Sequence, residues 1–195
     1  MSTPPPLPVP PTPYKIAVLV YVFNEEGKLL LLHRRKPPNK NLYSPIGGKL
    51  EQHLGESPYA CALREIREEI GMQLTLDDIR HFGIVSERAY PSPPPIDTTH
   101  WLMFCFEVTR TLNFPAVEFD EGLLEWIDPI IVPQLSIPKT DREIIWPLVQ
   151  KHSIMLNPAT RTHPDFFSVH IDCTDNDCFV PTMEHPRKKS EDRSQ

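Results

Sequence analysis

The stretch from Ser57 to Gly71 leaves the fewest structural choices of any in this 195-residue chain. Ser57 followed by Pro58 is a helix start, because a serine side chain accepts from the first free backbone N–H groups and proline's fixed φ suits the first helical position. YACALREIREEI then runs to Gly71, a residue type that readily takes the left-handed conformation closing many helices. Residues on a helix are ~100° apart, so Tyr59, Leu63, Ile66 and Ile70 are predicted to form one apolar stripe facing the core. Glu65, Glu68 and Glu69 fall on the opposite side, with Glu65 one turn from each of the other two. Like charges at these spacings cost a few tenths of a kcal/mol per pair, and a divalent cation would reverse that sign. Oxygen-only ligands suit hard ions such as Mg²⁺. Arg64 and Arg67 flank the cluster and are placed to orient or partly neutralise it. For an acidic helix standing alone, a solvated face with arginine partners is the simpler account. Here Gly47-Gly48-Lys49, Gly55 and Glu56 precede the helix and bring backbone and a further carboxylate to its start.

Around this helix the chain reads as mixed strands. KIAVLVYVF, the turn NEEGK and LLLLHRR give a hairpin signal. IRHFGIVSERAY and HWLMFCFEV are predicted strands separated by a proline-rich loop at Pro91 to Pro95, and LLEWI is a further short strand. Thr140 and Glu143 have capping-box spacing for a second helix, DREIIWPLVQKH, in which Pro147 predicts a kink. Strands punctuated by two helices imply an α/β fold with a sheet between helical layers. The expected organisation is a proline-rich tail over 1–13, a catalytic domain over 14–152, an extension over 153–180 that contains the strand FFSVHI and can pack on the domain, and a polar disordered tail over 181–195.

A formal net charge of −6 argues against stable nucleic-acid binding, which needs a basic surface, while leaving a free nucleotide acceptable. Four cysteines without a basic-then-apolar leader are read as reduced thiols in a cytoplasmic protein, and no apolar run approaches membrane-spanning length. His170, Cys173, Cys178 and His185 have a spacing unlike the familiar zinc patterns and are read as ordinary side chains. The P-x-x-P spacing before Tyr14 suits a disordered tail or, as the alternative, a partner's aromatic groove. Tyr90, Trp101, Phe104 and Trp126 are candidates for stacking on a base, with core packing as the alternative.

From Gly48 to Met72 the sequence resembles the Nudix box, in which a glycine and a glutamate are followed, after seven residues, by Arg-Glu-apolar-x-Glu-Glu-x-Gly-apolar. Glu56, Arg64, Glu65, Ile66, Glu68, Glu69, Gly71 and Met72 occupy those places. One departure stands out: seven residues separate Gly48 from Glu56 where the family has five, which implies a two-residue insertion within Gln52-His53-Leu54 and puts the reach of the Gly48 carbonyl in question. Extra loop residues cost little chain entropy.

The resemblance extends more loosely from Lys15 to Gln150. It implies a MutT-like α/β/α sandwich with a mixed, curved sheet between helices, and an enzyme in which a metal-activated water attacks phosphorus in a diphosphate linkage. It further implies Mg²⁺ or Mn²⁺ held by Glu65, Glu68 and Glu69, helped by the Gly48 carbonyl and Glu56. Arg64 would fix the glutamates, and Glu65 or Glu121 would be the base. An exposed loop carboxylate is the alternative for Glu121. Arg35, Lys49 and Tyr90 are expected to contact a small-molecule nucleotide, and a homodimer is left open. A nucleoside triphosphate or oxidised purine nucleotide is favoured. Tyr90, eighteen residues after Met72, keeps dinucleoside polyphosphates open, and ADP-ribose or sugar nucleotides also stay open. A non-enzymatic sensing or scaffold domain is expected to lose metal carboxylates, whereas this chain keeps all three.

Overall fold

The run LLLL and the apolar stretch before it form strands covered on both sides, which fixes the layering of the molecule. The computed structural model describes residues 13–37, 39–88, 99–157, 165–175 and 178–186. In chain order these form β1 (Tyr14–Tyr21), β2 (Leu29–Arg34), β3 (Tyr43–Ser44), α1 (Pro58–Ile70), β4 (Ile79–Arg88), β5 (His100–Val108), β6 (Val117–Phe119), β7 (Gly122–Ile127), α2 (Trp146–His152), β8 (Phe167–Asp172) and β9 (Val180–His185). Successive strand residues point to opposite faces. Accordingly Ala17 and Tyr21 of β1 and Leu29 and Leu31 of β2 enter one apolar core with Ile145 and Val149 from around α2. Val18, Val20, Leu30 and Leu32 enter a second core with Ala62 and Ile66 of α1. A strand buried on both faces has no polar side to show, hence its unbroken hydrophobicity.

The strands form two sheets in a mixed α/β fold. One has the order β1-β5-β4-β8-β9, with β1 parallel to β5 and β4 parallel to β8; the other, β3-β2-β7-β6, is antiparallel. The predicted β1–β2 hairpin does not form as such. Their backbones pair near the turn, through the Phe23–Leu29 bridge, the Asn24 N–H bond to the Lys28 carbonyl and the Leu30 N–H bond to the Val22 carbonyl, and the strands then join different sheets. Local turn chemistry gave no sign that the edges of both strands would find better-matched partners far along the chain.

Three other expectations change. Helix α1 starts and stops as read, with the Ser57 hydroxyl accepting from the Ala60 N–H and Gly71 left-handed, but its buried face is Cys61, Ala62, Ile66 and Glu69, while Tyr59 is exposed. The small residues at 61 and 62 let the helix settle with that side inward, and Tyr59 instead lies edge-on to Phe106. The Thr140 capping box is absent; a π-helical turn over Asp141–Ile145 leads into α2, with Pro147 in its first turn. The strand Val180–His185 runs from the last residue of the expected extension into the expected polar tail, as an exposed edge strand held by backbone pairing to β8, which hydrophobic alternation does not reveal. The proline-rich segments before Pro13 and at Pro91 to Pro95 lie outside the described residues. No described helix is long and apolar enough to cross a membrane.

A buried ion pair joins the two ends of the domain. Glu107 of β5 is fully buried and accepts from Arg80 of β4 at 2.6 Å, the Ser153 hydroxyl at 2.6 Å and the Ile154 N–H at 3.2 Å. Arg80 also donates to the carbonyls of His152 and Asp165, so one guanidinium anchors the end of α2 and the approach to β8. Glu107→Ala leaves that cation without a counter-charge, with only the His152 and Asp165 carbonyls to accept from it, and is expected to cost about 3–5 kcal/mol. In a thermal melt this corresponds to a fall of roughly 10 °C or more; a midpoint unchanged within 2 °C, taken as about the error of such a melt, would show that the pair is not what secures these segments.

Candidate active site

The site begins at the free edge of β1. Val18 N–H donates to the Gly48 carbonyl at 2.9 Å, Val20 N–H to Ile46 at 2.8 Å, and Leu50 N–H to Ile16 at 3.0 Å, so residues 46–50 lie along β1 as an irregular extra strand. Gly47 sits at φ +136°, where an added Cβ would fall 2.2 Å from the Val18 carbonyl oxygen. Only glycine allows that approach. At Gly48 an added Cβ would fall 2.3 Å from Glu65 Oε1, so the missing side chain is what lets the α1 carboxylate press against this segment.

Arg64 organises the carboxylates. Its Nε and Nη2 donate to the two oxygens of Glu56 at 2.8 and 2.9 Å, Nη1 donates to Glu65 at 2.7 Å and to Glu68 at 3.1 Å, and Nη2 also reaches the Lys49 carbonyl at 3.1 Å. The forked pairing holds Glu56 down to about 2 and raises the arginine's own value. Glu56 also accepts the Glu51 N–H at 2.8 Å. The loop between Gly48 and Glu56 is compact. Gln52–Leu54 forms one 3₁₀ turn, Gly55 takes a left-handed conformation at φ +66°, and the chain returns in time for Glu56 to meet Arg64.

Glu69 is turned inward. One of its oxygens accepts the Gly47 N–H at 3.2 Å, while Oε2 is buried without a hydrogen-bond partner. Burial pushes its carboxyl up to about 8, the Gly47 N–H opposes that, and the charges of Glu65 and Glu121 add to it. Glu65 is also raised, chiefly by burial, against the pull of Arg64. Cys61, fully buried beside them, has its thiol pushed up to about 12, first by burial, which makes it inert packing.

Of the helix carboxylates, Glu65 borders a cavity of about 530 Å³ whose wall also includes Gly48, Lys49, Arg34 and Glu121. Glu121, in the β6–β7 turn, is half-exposed and lies 3.8 Å from the Arg34 guanidinium. Of the two arginines ending β2, it is Arg34, paired in register with Gly122, that lines the cavity. Arg35, the residue expected there, turns outward onto Glu118. Alternation shows that the two point apart; the β2–β7 pairing decides which points in. Tyr90 lies outside the described residues. Glu68 stays at the exposed rim on Arg64, and as arranged no group of three His, Cys, Asp or Glu among the described residues is gathered closely enough to hold an ion. His170 bonds Ser86, and Trp126 donates to the Phe114 carbonyl within the packed interior, whereas Trp101 lines the cavity. Sequence reasoning missed Arg34, Ser44, Glu87 and Asp141, all cavity-lining; Asp141 was hidden inside an apparent helix-start pattern.

A carboxylate-bearing helix, locked by its own arginine to a glycine segment at a sheet edge, defines an α/β protein with an all-oxygen site. Comparison with known proteins agrees with that class. The NUDIX domain model matches residues 13–146, and the chain belongs to that family. It is 31% identical over 137 residues to an RNA pyrophosphohydrolase of Gluconobacter oxydans (strain 621H), covering 60% of this chain and 73% of that protein. It is 26% identical over 145 residues to the uncharacterised Nudix hydrolase YvcI of Bacillus subtilis (strain 168), covering 74% and 85%. The crystal structure of a mutator MutT protein from Bacillus halodurans superposes with a TM-score of 0.62 at 21% identity, covering 87% of this chain and 97% of that one, which establishes likeness of fold.

Glu69 gives a stability test. Its ordinary value is 4.5 and its folded value about 8, so between them the folded form keeps a proton that the unfolded form has shed. The stability tied to this group is full below its unfolded value and is lost as pH rises through its folded value. Glu69→Gln removes the loss. Without divalent metal, the variant should melt a few degrees above the unchanged protein at alkaline pH, with the two converging in acid. Parallel melting curves across that range would refute the inward, unpartnered carboxyl.

Proposed function

We propose that this protein is a divalent-metal-dependent hydrolase that splits a diphosphate linkage in a nucleotide, with a nucleoside triphosphate as the favoured substrate. The observation that carries the reading is Glu69 Oε2, buried without a donor while Glu65 and Glu121 supply like charge nearby. A buried carboxylate oxygen without a partner is costly, and a divalent cation is the group that offsets it for an all-oxygen donor set. Glu65, Glu68 and Glu69 would hold Mg²⁺ or Mn²⁺, helped by the Gly48 carbonyl, which accepts the Val18 N–H and, at 3.8 Å, the weak Cys61 thiol donor that a cation would displace. Bound there, the ion supplies charge neutralisation and a water of lowered pKa. Glu56 is assigned to Arg64, which keeps its bidentate grip on Glu56 when Glu65 and Glu68 turn to the cation.

The chain's own groups supply the rest. Arg34 and Lys49 put positive charge on the wall where phosphate oxygens would lie. Glu121, half-exposed on a turn and electrostatically coupled to both Glu65 and Glu69, is the better-placed base, since Glu65 would be engaged as a ligand of the cation. The name of the Gluconobacter relative, an RNA pyrophosphohydrolase, gives a second reading, a diphosphate linkage carried on RNA; the net charge of −6 favours the free nucleotide.

Metal-dependent release of phosphate products from nucleoside triphosphates and from 5′-triphosphorylated RNA tests this. The paired change Glu68→Gln and Glu69→Gln should lower turnover at least ~100-fold with the circular dichroism spectrum intact. Glu121→Gln should cost roughly 10²–10⁴-fold. Undiminished turnover in the doubly changed protein would end the assignment.

A further inference from the structure

We propose that proton uptake by His152 releases the β8–β9 hairpin, which makes this C-terminal pair of strands an acid-operated latch on one wall of the cleft. His152 and both strands lie past the residues that the NUDIX model matches, and the latch does not rest on which reaction the cleft performs. His152 is the last residue of α2. It is fully buried, and neither ring nitrogen has a hydrogen-bond partner among the described residues. Its ring lies 5.4 Å from that of Phe167, the first residue of β8, at an interplanar angle of 44°. Phe167 is also fully buried and presses on Gly83 of β4, where an added Cβ would fall 2.1 Å from the Phe167 ring. A line of contact thus runs from α2 through β8 to β4. Neutral imidazole suits that line. An imidazolium does not, because it adds an N–H donor and a full charge where nothing accepts.

The charges around the ring oppose a further cation. Lys151 precedes it on α2, Arg80 of β4 donates to its own backbone carbonyl, and His185 acts on it from β9. Asp165, ahead of β8, acts in the opposite sense. Glu107 of β5 is already engaged by Arg80 and the Ser153 hydroxyl. Burial therefore lowers the pKa of His152, Lys151, Arg80 and His185 add to this, and Asp165 offsets a part. The stability tied to the ring is full above its ordinary value of 6.5 and is lost as pH falls through its lowered folded value, since the released form takes the proton first. Glu69 and Asp141, whose carboxyls are raised, gain stability as pH falls, so neither accounts for a loss in acid.

The hairpin is the element that gives way. Helix α2 stays in the core through Trp146 and Val149, whereas β9 is exposed along its whole length and pairs, among the described residues, with β8 alone. Strand β8 contributes Phe167, Val169 and Ile171 to the core, so the released form is a minor one whose population rises in acid. The partners of β8 on β4 are Gly83 to Arg88, and Glu87 among them lines the cleft. Release of β8 leaves that stretch of β4 as a free edge. Proton uptake outside the cleft thereby loosens one of its walls.

Amide hydrogen exchange of the full chain, read as protection factors at about pH 7.5 and about pH 5.5, tests the latch. Protection over Ser168 to Asp172 and over Gly83 to Arg88 should fall roughly threefold or more in acid, while that of α1 falls by less than a factor of about two. His152→Phe keeps a ring against Phe167 but takes no proton, and it should remove the acid response. His152→Gln makes the same test if the phenylalanine variant does not fold. In the unchanged protein the His152 ring resonances should titrate over the same pH range as the loss of protection, a measurement that needs no variant. Protection of β8 that is unchanged in acid, or that falls no further than that of α1, would overturn the latch. So would a full acid response in either folded variant, which would place the proton on His81, His170 or His185 instead, or a His152 ring that titrates outside the range in which β8 opens.

Discussion

Arg64 holds together what would otherwise repel. Its guanidinium joins the loop glutamate, two helix glutamates and the Lys49 carbonyl, and the last of these belongs to the segment that forms β1's extra edge. Remove that fork and three carboxylates face one another with nothing positive among them, the loop after Lys49 loses its tie to α1, and Gly48 has no reason to sit against Glu65. A lysine would not substitute, because a single ammonium cannot present donors in four directions from a fixed plane. The arrangement also shows how a loop of this length between Gly48 and Glu56 is accommodated. Glu56 arrives at Arg64 after a single 3₁₀ turn over Gln52–Leu54.

Burial divides the acidic residues by role. Glu107 is deeply buried yet saturated with donors, and ties the C-terminal segment to the sheet. Glu69, Glu87 and Asp141 are pushed up in pKa chiefly by burial; Glu87 and Asp141 line one cavity, and Glu69 sits behind it against Gly47, which does. Stability given up at a cleft in this way is the usual mark of groups kept for a ligand, since a core under selection for stability alone would fill those positions with apolar side chains. The two cores on either side of β1 and β2 provide the rigidity that makes such unpartnered groups sustainable. Glu65 projects from a helix seated by Ala62 and Ile66, and Glu87 from a strand with hydrogen-bonded neighbours on both sides.

Sequence alone determined the helix, its caps and the family pattern from Glu56 onward, because those depend on residues within one or two turns of each other. It also determined that β1 and β2 would be strands, through hydrophobicity that no local alternative could use. Tertiary structure decided the rest, through contacts between residues far apart in the chain. The rotation of α1 that buried Glu69 and exposed Tyr59 came from how closely Cys61 and Ala62 let the helix approach. The choice of Arg34 over Arg35 came from the register of β2 on β7, a pairing across almost ninety residues. The divergence of β1 from β2, the polar edge strand β9 and the meeting of Glu87 with Asp141 have the same origin. Backbone hydrogen bonding and burial are set by the partner, and the partner is not written in the neighbouring residues.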